Sequence, residues 1–159
     1  MYLVGGREEI VDVGGLEEIR RPMGAVDDPG WLGPENRCVV PFTSFSEFNR
    51  EAGGDIWFAL DETRPLACFA GLWTNWSSVR KVREGETTND LFAFLTTEPN
   101  AEVGAIHPKA MPVILTTPEE VETWMRAPTP EALRLQRPLP DGALRIVSRG
   151  AKKDGGLTD

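Results

Sequence analysis

From Cys38 onward, apolar residues fall in short runs separated by turn-forming ones. Cys38 to Pro41, Phe42 to Phe48, Ile56 to Leu60 and Leu66 to Trp73 read as consecutive β-strands. Glu51 to Asp55 and Asp61 to Pro65 carry the Gly, Asp and Pro expected of turns, so antiparallel neighbours in a meander or small barrel are predicted. Residues 77 to 89 are polar and read as a surface excursion. Leu91 to Leu95 then reads as a buried strand, Glu98 to Val103 as a short helix and Met111 to Leu115 as a further strand. Pro112 lies near the start of that strand, where a missing donor is tolerable. Thr117-Pro118-Glu119-Glu120 starts a helix running to about Met125: Thr117 caps, Pro118 fits the first turn and Glu120 completes a capping box. Thr129-Pro130-Glu131 repeats that logic through about Leu135, Ala143 to Val147 is a closing strand, and Gly150 to Asp159 is a frayed tail.

The first 36 residues carry less pattern. Met1 to Val4 and Ile10 to Val13 are short strand candidates, and the Gly, Asp and Pro of Pro22 to Pro34 read as turns and a loop. Together these elements predict an α+β fold, predominantly an antiparallel β-sheet with short peripheral helices. A length of 159 residues fits one domain, with 1–30 and 151–159 as its least regular parts. Five Trp and seven Phe in a chain that is 40% hydrophobic supply a real core. No apolar run approaches the roughly 20 residues of a spanning helix, and there is no signal-peptide layout, so a cytoplasmic monomer without a membrane partner is expected.

A net charge of −8 excludes a protein that coats nucleic acid nonspecifically, which needs clustered cations. Only a local basic patch remains, from Arg37, from Arg80, Lys81 and Arg83, from Lys109, or from Arg145, Arg149, Lys152 and Lys153. Each alone is more often a solvated surface charge. Cys38 and Cys68 sit in apolar runs that suit buried thiols, with no metal-binding spacing.

His107 is the only histidine and lies in a loop between a short helix and a strand. An imidazole there can move protons in either direction at physiological pH. The commoner alternative is a structural histidine bonded to nearby backbone. Glu47 shares a strand with Phe42, Phe45 and Phe48, and pleat alternation puts Glu47 on the same side as Phe45. A carboxylate among aromatic rings tends toward a raised pKa, as a general acid requires, whereas a strand glutamate facing water is the commoner case. Trp73 and Trp76 bracket Thr74-Asn75 and suit base stacking or ordinary core packing. Cys38 with His107 also admits a cysteine-hydrolase reading.

Three blocks bear on these alternatives. They are Glu35 to Pro41 followed by Ser44-Phe45-Ser46-Glu47-Phe48, then Phe69-Ala70-Gly71-Leu72-Trp73, then Leu95 to Asn100 running into Ile106 to Leu115. In order and spacing they resemble the SOS-response-associated peptidase (SRAP) family of abasic-site-processing proteins, over about residues 31 to 150. The resemblance implies a compact, barrel-like β-rich fold that binds single-stranded DNA and captures an abasic-site aldehyde. Capture in the family uses a cysteine exposed by removal of the initiator methionine, whose amine and thiol close a thiazolidine on one carbon. By motif, Glu47 and His107 match the family's catalytic glutamate and histidine, and Arg37, Thr96 and Lys109 its phosphate or backbone contacts. No cofactor and no metal are implied.

Position 2 of this chain is Tyr2, whose phenol cannot close a sulfur ring, and Met23 to Trp31 lacks the family's Asn-x-Arg segment. The covalent step is therefore expected to be lost. An N-terminally truncated chain is the preferred explanation and a divergent member the other. The functional expectation is abasic single-stranded DNA binding with associated autopeptidase activity, the crosslinking step being lost. The alternatives are a hydrolase using Cys38 and His107, and a noncatalytic interaction domain.

Overall fold

Alternation along two paired strands sorts the apolar residues onto opposite faces of one sheet, and everything else packs on those faces. The structure, a computed structural model, describes residues 32–79, 83 and 85–150. The strands are β1 (Arg37–Phe42), β2 (Phe45–Asn49), β3 (Gly54–Ala59), β4 (Ala67–Ser78), β5 (Thr87–Phe94), β6 (Thr96–Thr97), β7 (Met111–Pro112), β8 (Ile114–Leu115) and β9 (Arg145–Arg149). The helices are α1 (Ala101–Gly104), α2 (Pro118–Arg126) and α3 (Thr129–Ala132). The expected strands at Met1 to Val4 and Ile10 to Val13, most of the Pro22 to Pro34 loop and the tail beyond Gly150 lie outside the described residues. So do Arg80, Lys81, Lys152, Lys153 and the side chain of Trp76.

The class is α+β, and the strands pair antiparallel in open sheets. One sheet runs β1-β4-β5 with β8 also on β4, a second runs β2-β3-β9, and β6 pairs with β7. The register Val40↔Phe69 and Phe42↔Ala67 sets these four residues on one face, where they join Phe45, Ile56, Phe58 and Ile146 of the second sheet in one core. Val39, Cys68, Ala70 and Leu72 point the other way, onto Trp124, Val121 and Met125 of α2. The result is three layers: sheet, sheet and helices. Between the sheets Phe42 stacks on Phe69 at 4.0 Å, and Phe45 meets Phe69 edge-on at 5.6 Å. Each such ring contributes about 1.5–3 kcal/mol on full burial.

Several sequence expectations change. The Phe42 to Phe48 run is two strands, because the chain leaves the first sheet at Phe42 and enters the second at Phe45. The polar stretch beyond Trp73 continues β4 to Ser78 and returns as β5. Asn75 Nδ2 donates to Asp90 Oδ1 at 2.7 Å, and the Ser77 and Thr88 hydroxyls lie 2.6 Å apart. Such polar cross-strand pairs stabilise a ribbon with no apolar alternation to announce it. Leu91 to Phe94 is accordingly a partly exposed edge strand with Phe92 55% exposed, and only Leu95 of that run is buried.

Met111 to Leu115 is also two strands. Met111–Pro112 pairs with β6, Val113 donates to Leu95 O and accepts from Ala70 N, and Ile114–Leu115 pairs with β4. Thr117 does cap α2, with its Oγ accepting from Glu120 N at 3.2 Å. The Glu120 carboxylate, however, accepts from Thr116 N, one residue before the expected position. The second helix is a short α3 followed by a 3-10 turn at Leu133–Leu135. Thr129 makes no cap there because its hydroxyl is engaged by Arg37 and Leu32.

Candidate functional site

Glu47 pairs with Ile56 in the β2–β3 ladder and shares its face with Phe45, whose partner is Phe58. Phe45, Ile56 and Phe58 belong to the inter-sheet core, so pleat alternation aims the Glu47 carboxylate into the same layer. Glu47 is only 8% exposed. Burial pushes its pKa above the ordinary value of 4.5, and the neighbouring His107 partly offsets the rise.

His107 reaches this carboxylate from a loop closed at its base by the Thr96↔Pro112 and Thr97↔Met111 pairs of β6 and β7. Its backbone N–H donates to Val103 O at 2.7 Å, directly after α1. Val103 is buried and Ile106 packs on the inter-sheet core, which pins both sides of the turn that presents the imidazole. His107 Nδ1 lies 3.7 Å from Glu47 Oε2, with the imidazole 39% exposed and the carboxylate side chain 11% exposed. That separation suits an ion pair and exceeds a hydrogen bond. A half-exposed base beside a sheltered carboxyl whose pKa burial raises can donate to and accept from one substrate atom, and such contacts tighten when substrate enters.

Lys109 is exposed and lies two residues beyond His107 in the same loop. Thr96 is exposed too, and its carbonyl accepts from Gln136 Nε2 at 3.0 Å. Arg37 is placed elsewhere. By register it shares the helix-facing side of the sheet with Val39 and Leu72, away from the layer that holds Glu47, and it is 2% exposed. Its guanidinium donates to Leu32 O at 2.9 Å, Trp124 O at 2.9 Å, Ala127 O at 2.7 Å and Thr129 Oγ at 3.0 Å, and it lies 5.4 Å from the Trp124 ring centroid. The bonds to Trp124 and Ala127 satisfy carbonyls left open at the C-terminal end of α2, so the side chain the motif suggests for phosphate is spent inside the fold.

Cys38 does not look activated. Burial raises its pKa, which disfavours the thiolate a hydrolase needs. A Cβ on Gly71 would stand 3.0 Å from its sulfur, so the thiol packs closely over that glycine. Trp73 and Phe92 face each other across β4 and β5 and are both exposed, a pair of rings continuous with Phe94 at the edge of the core. Phe92 carried no sequence signal, because the unbroken Leu-Phe-Ala-Phe run reads as buried.

The family model described as SOS response associated peptidase (SRAP) matches residues 32–149. The chain belongs to this family. Membership associates it with the SOS response. No protein of curated function matches the chain. Among solved structures, a protein from Bacteroides thetaiotaomicron is similar with a TM-score of 0.55 at 25% identity, over 69% of this chain and 47% of that one. One from Bordetella bronchiseptica has a TM-score of 0.52 at 21% identity, over 72% of this chain and 55% of that one. The SRAP chain thus spans about half the length of these two. Among its described residues no helix is long and apolar enough to cross a membrane, and no cluster of three or more His, Cys, Asp or Glu is placed to hold a metal ion.

Proposed function

We propose that this SRAP chain binds single-stranded DNA at abasic sites, with Glu47 and His107 handling protons around the lesion aldehyde. The observation that carries the proposal is the approach of the sole imidazole to within 3.7 Å of a sheltered carboxylate from a distant strand. An abasic sugar opens to its aldehyde by transfer of one proton to the ring oxygen and loss of another from the anomeric hydroxyl. A carboxyl whose pKa burial raises and an adjacent imidazole can supply both directions of transfer. Trp73 and Phe92 offer faces for unpaired bases, and Lys109 an exposed cation two residues beyond His107.

Covalent trapping is assigned to neither side chain. Tyr2 carries a phenol, which cannot close a thiazolidine. Incubation with abasic single-stranded DNA should give selective binding without a heat-stable adduct. Equal affinity for intact and abasic strands would refute the lesion reading, and a heat-stable adduct would refute the loss of the covalent step. A cysteine hydrolase built on Cys38 is disfavoured by the raised thiol pKa, and Cys38→Ala with undiminished processing would remove it.

A further inference from the structure

We propose that Asn100 is a positioning residue for His107, acting through the single turn of α1. The proposal rests on the reading of Glu47 and His107 as a working pair and adds the group that holds the imidazole in place. Asn100 Oδ1 accepts from Val103 N at 3.1 Å, and Val103 O in turn accepts from His107 N at 2.7 Å and Ile106 N at 2.9 Å. Two hydrogen bonds therefore connect the carboxamide to the backbone of the imidazole. A four-residue helix has no stability of its own, so this turn persists only if its ends are tied.

The ties converge on the same residues. Asn100 N meets Met111 Sδ at 3.3 Å, which anchors the start of the turn to the strand after the loop. Ala101 N donates to Asp141 Oδ1 at 2.8 Å, and Gly142 N donates to Glu102 Oε1 at 2.6 Å, which strap α1 to the 141–142 turn. Asn100 is 5% exposed, yet its Nδ2 has no hydrogen-bond partner among the described residues. Only the oxygen works. A residue that supplies one acceptor at this position should reproduce all that Asn100 does, and serine is such a residue at a helix N-terminus.

His107 lowers the Glu47 pKa that burial raises, so the Glu47 carboxyl titration reports how close the imidazole stands. The experiment follows this carboxyl by 13C NMR in the full chain, identifying its signal by its loss in Glu47→Gln. In His107→Ala the midpoint should rise. Asn100→Ala should raise it by at least half as much, and Asn100→Ser should restore the wild-type value.

A folded Asn100→Ala protein with the wild-type midpoint would overturn the proposal, as would serine behaving like alanine. Should Asn100→Ala not fold, Asp141→Ala and Asp141→Asn test the same turn from its surface. Both remove the charge, but only asparagine keeps the acceptor, so the alanine variant should show the higher midpoint; equal midpoints would overturn the proposal. No DNA is needed, so the outcome is independent of lesion binding. An unchanged midpoint in His107→Ala would remove the pair itself and the proposed function with it, whereas an unchanged Asn100→Ala removes the positioning alone.

Discussion

Replacing Arg37 tests whether its charge serves the fold or a DNA backbone. Its guanidinium donates to three backbone carbonyls and one hydroxyl at 2.7 to 3.0 Å, tying together Leu32, the end of α2 and the start of α3. A hydrogen bond from a charged donor contributes about 1.5–3 kcal/mol, and a buried carbonyl left without a donor costs about 1–3 kcal/mol. These contributions overlap, and only the Trp124 carbonyl bond is fully buried, so the loss in Arg37→Ala is set at about 3–5 kcal/mol. With a urea slope of about 2 kcal/mol per M, the denaturation midpoint should fall by about 2 M. Arg37→Lys should lose more than half as much, because one ammonium cannot span carbonyls that the planar fork reaches together. If Arg37 instead touched a phosphate, its removal would flatten the logarithmic salt dependence of single-stranded DNA binding by about 0.7. A loss below about 1 kcal/mol combined with that flattening would refute the structural assignment.

Other substitutions probe the site more directly. Because burial raises the Glu47 pKa, the favourable protonated state is fully present below the unfolded value of 4.5 and is lost as pH rises through the folded value. Glu47→Gln should therefore melt higher than wild type at about pH 7 and match it at about pH 3; equal melting at both would show a well-solvated carboxylate, and the reverse order at about pH 7 one whose ionised form the fold stabilises. Phe92→Ser should weaken single-stranded DNA binding by about 5- to 150-fold, the worth of about 1–3 kcal/mol of stacking, with only a small loss of stability from its contact with Phe94. Unaltered affinity would take these rings out of the DNA surface. Trp124→Ala, which empties a fully buried site under the sheet, should cost about 3–5 kcal/mol by urea titration. A loss under about 1 kcal/mol would contradict the layer arrangement.

The parts of this architecture legible in the sequence share a physical reason: short-range periodicity and local capping chemistry leave marks in consecutive residues. Alternation around Phe45 correctly set Glu47 on the aromatic side, and Thr117-Pro118 announced the start of α2. The asparagine before α1 carries the same kind of mark, since Asn is a strong N-cap, and the helix expected from Glu98 starts instead at Ala101, directly after it. The extension of β4 and β5 left no such mark, because Asn75–Asp90 and Ser77–Thr88 are polar pairs that look like loop. Arg37 misled for a related reason. An arginine before a strand reads as a surface cation, and nothing near it in the chain reveals carbonyls some ninety residues away at Trp124 and Ala127. The meeting of Glu47 with His107 is likewise non-local; residue chemistry named both as candidates, and only the fold brings them to 3.7 Å.

The most direct test of the account compares affinities for abasic and intact single-stranded DNA of one sequence, in wild type, Glu47→Gln, His107→Ala and the double variant. A pair acting as one unit predicts that wild type prefers the abasic strand, that either single substitution removes the preference, and that combining them removes nothing further. An undiminished preference in both single variants, or losses that simply add in the double variant, would contradict it.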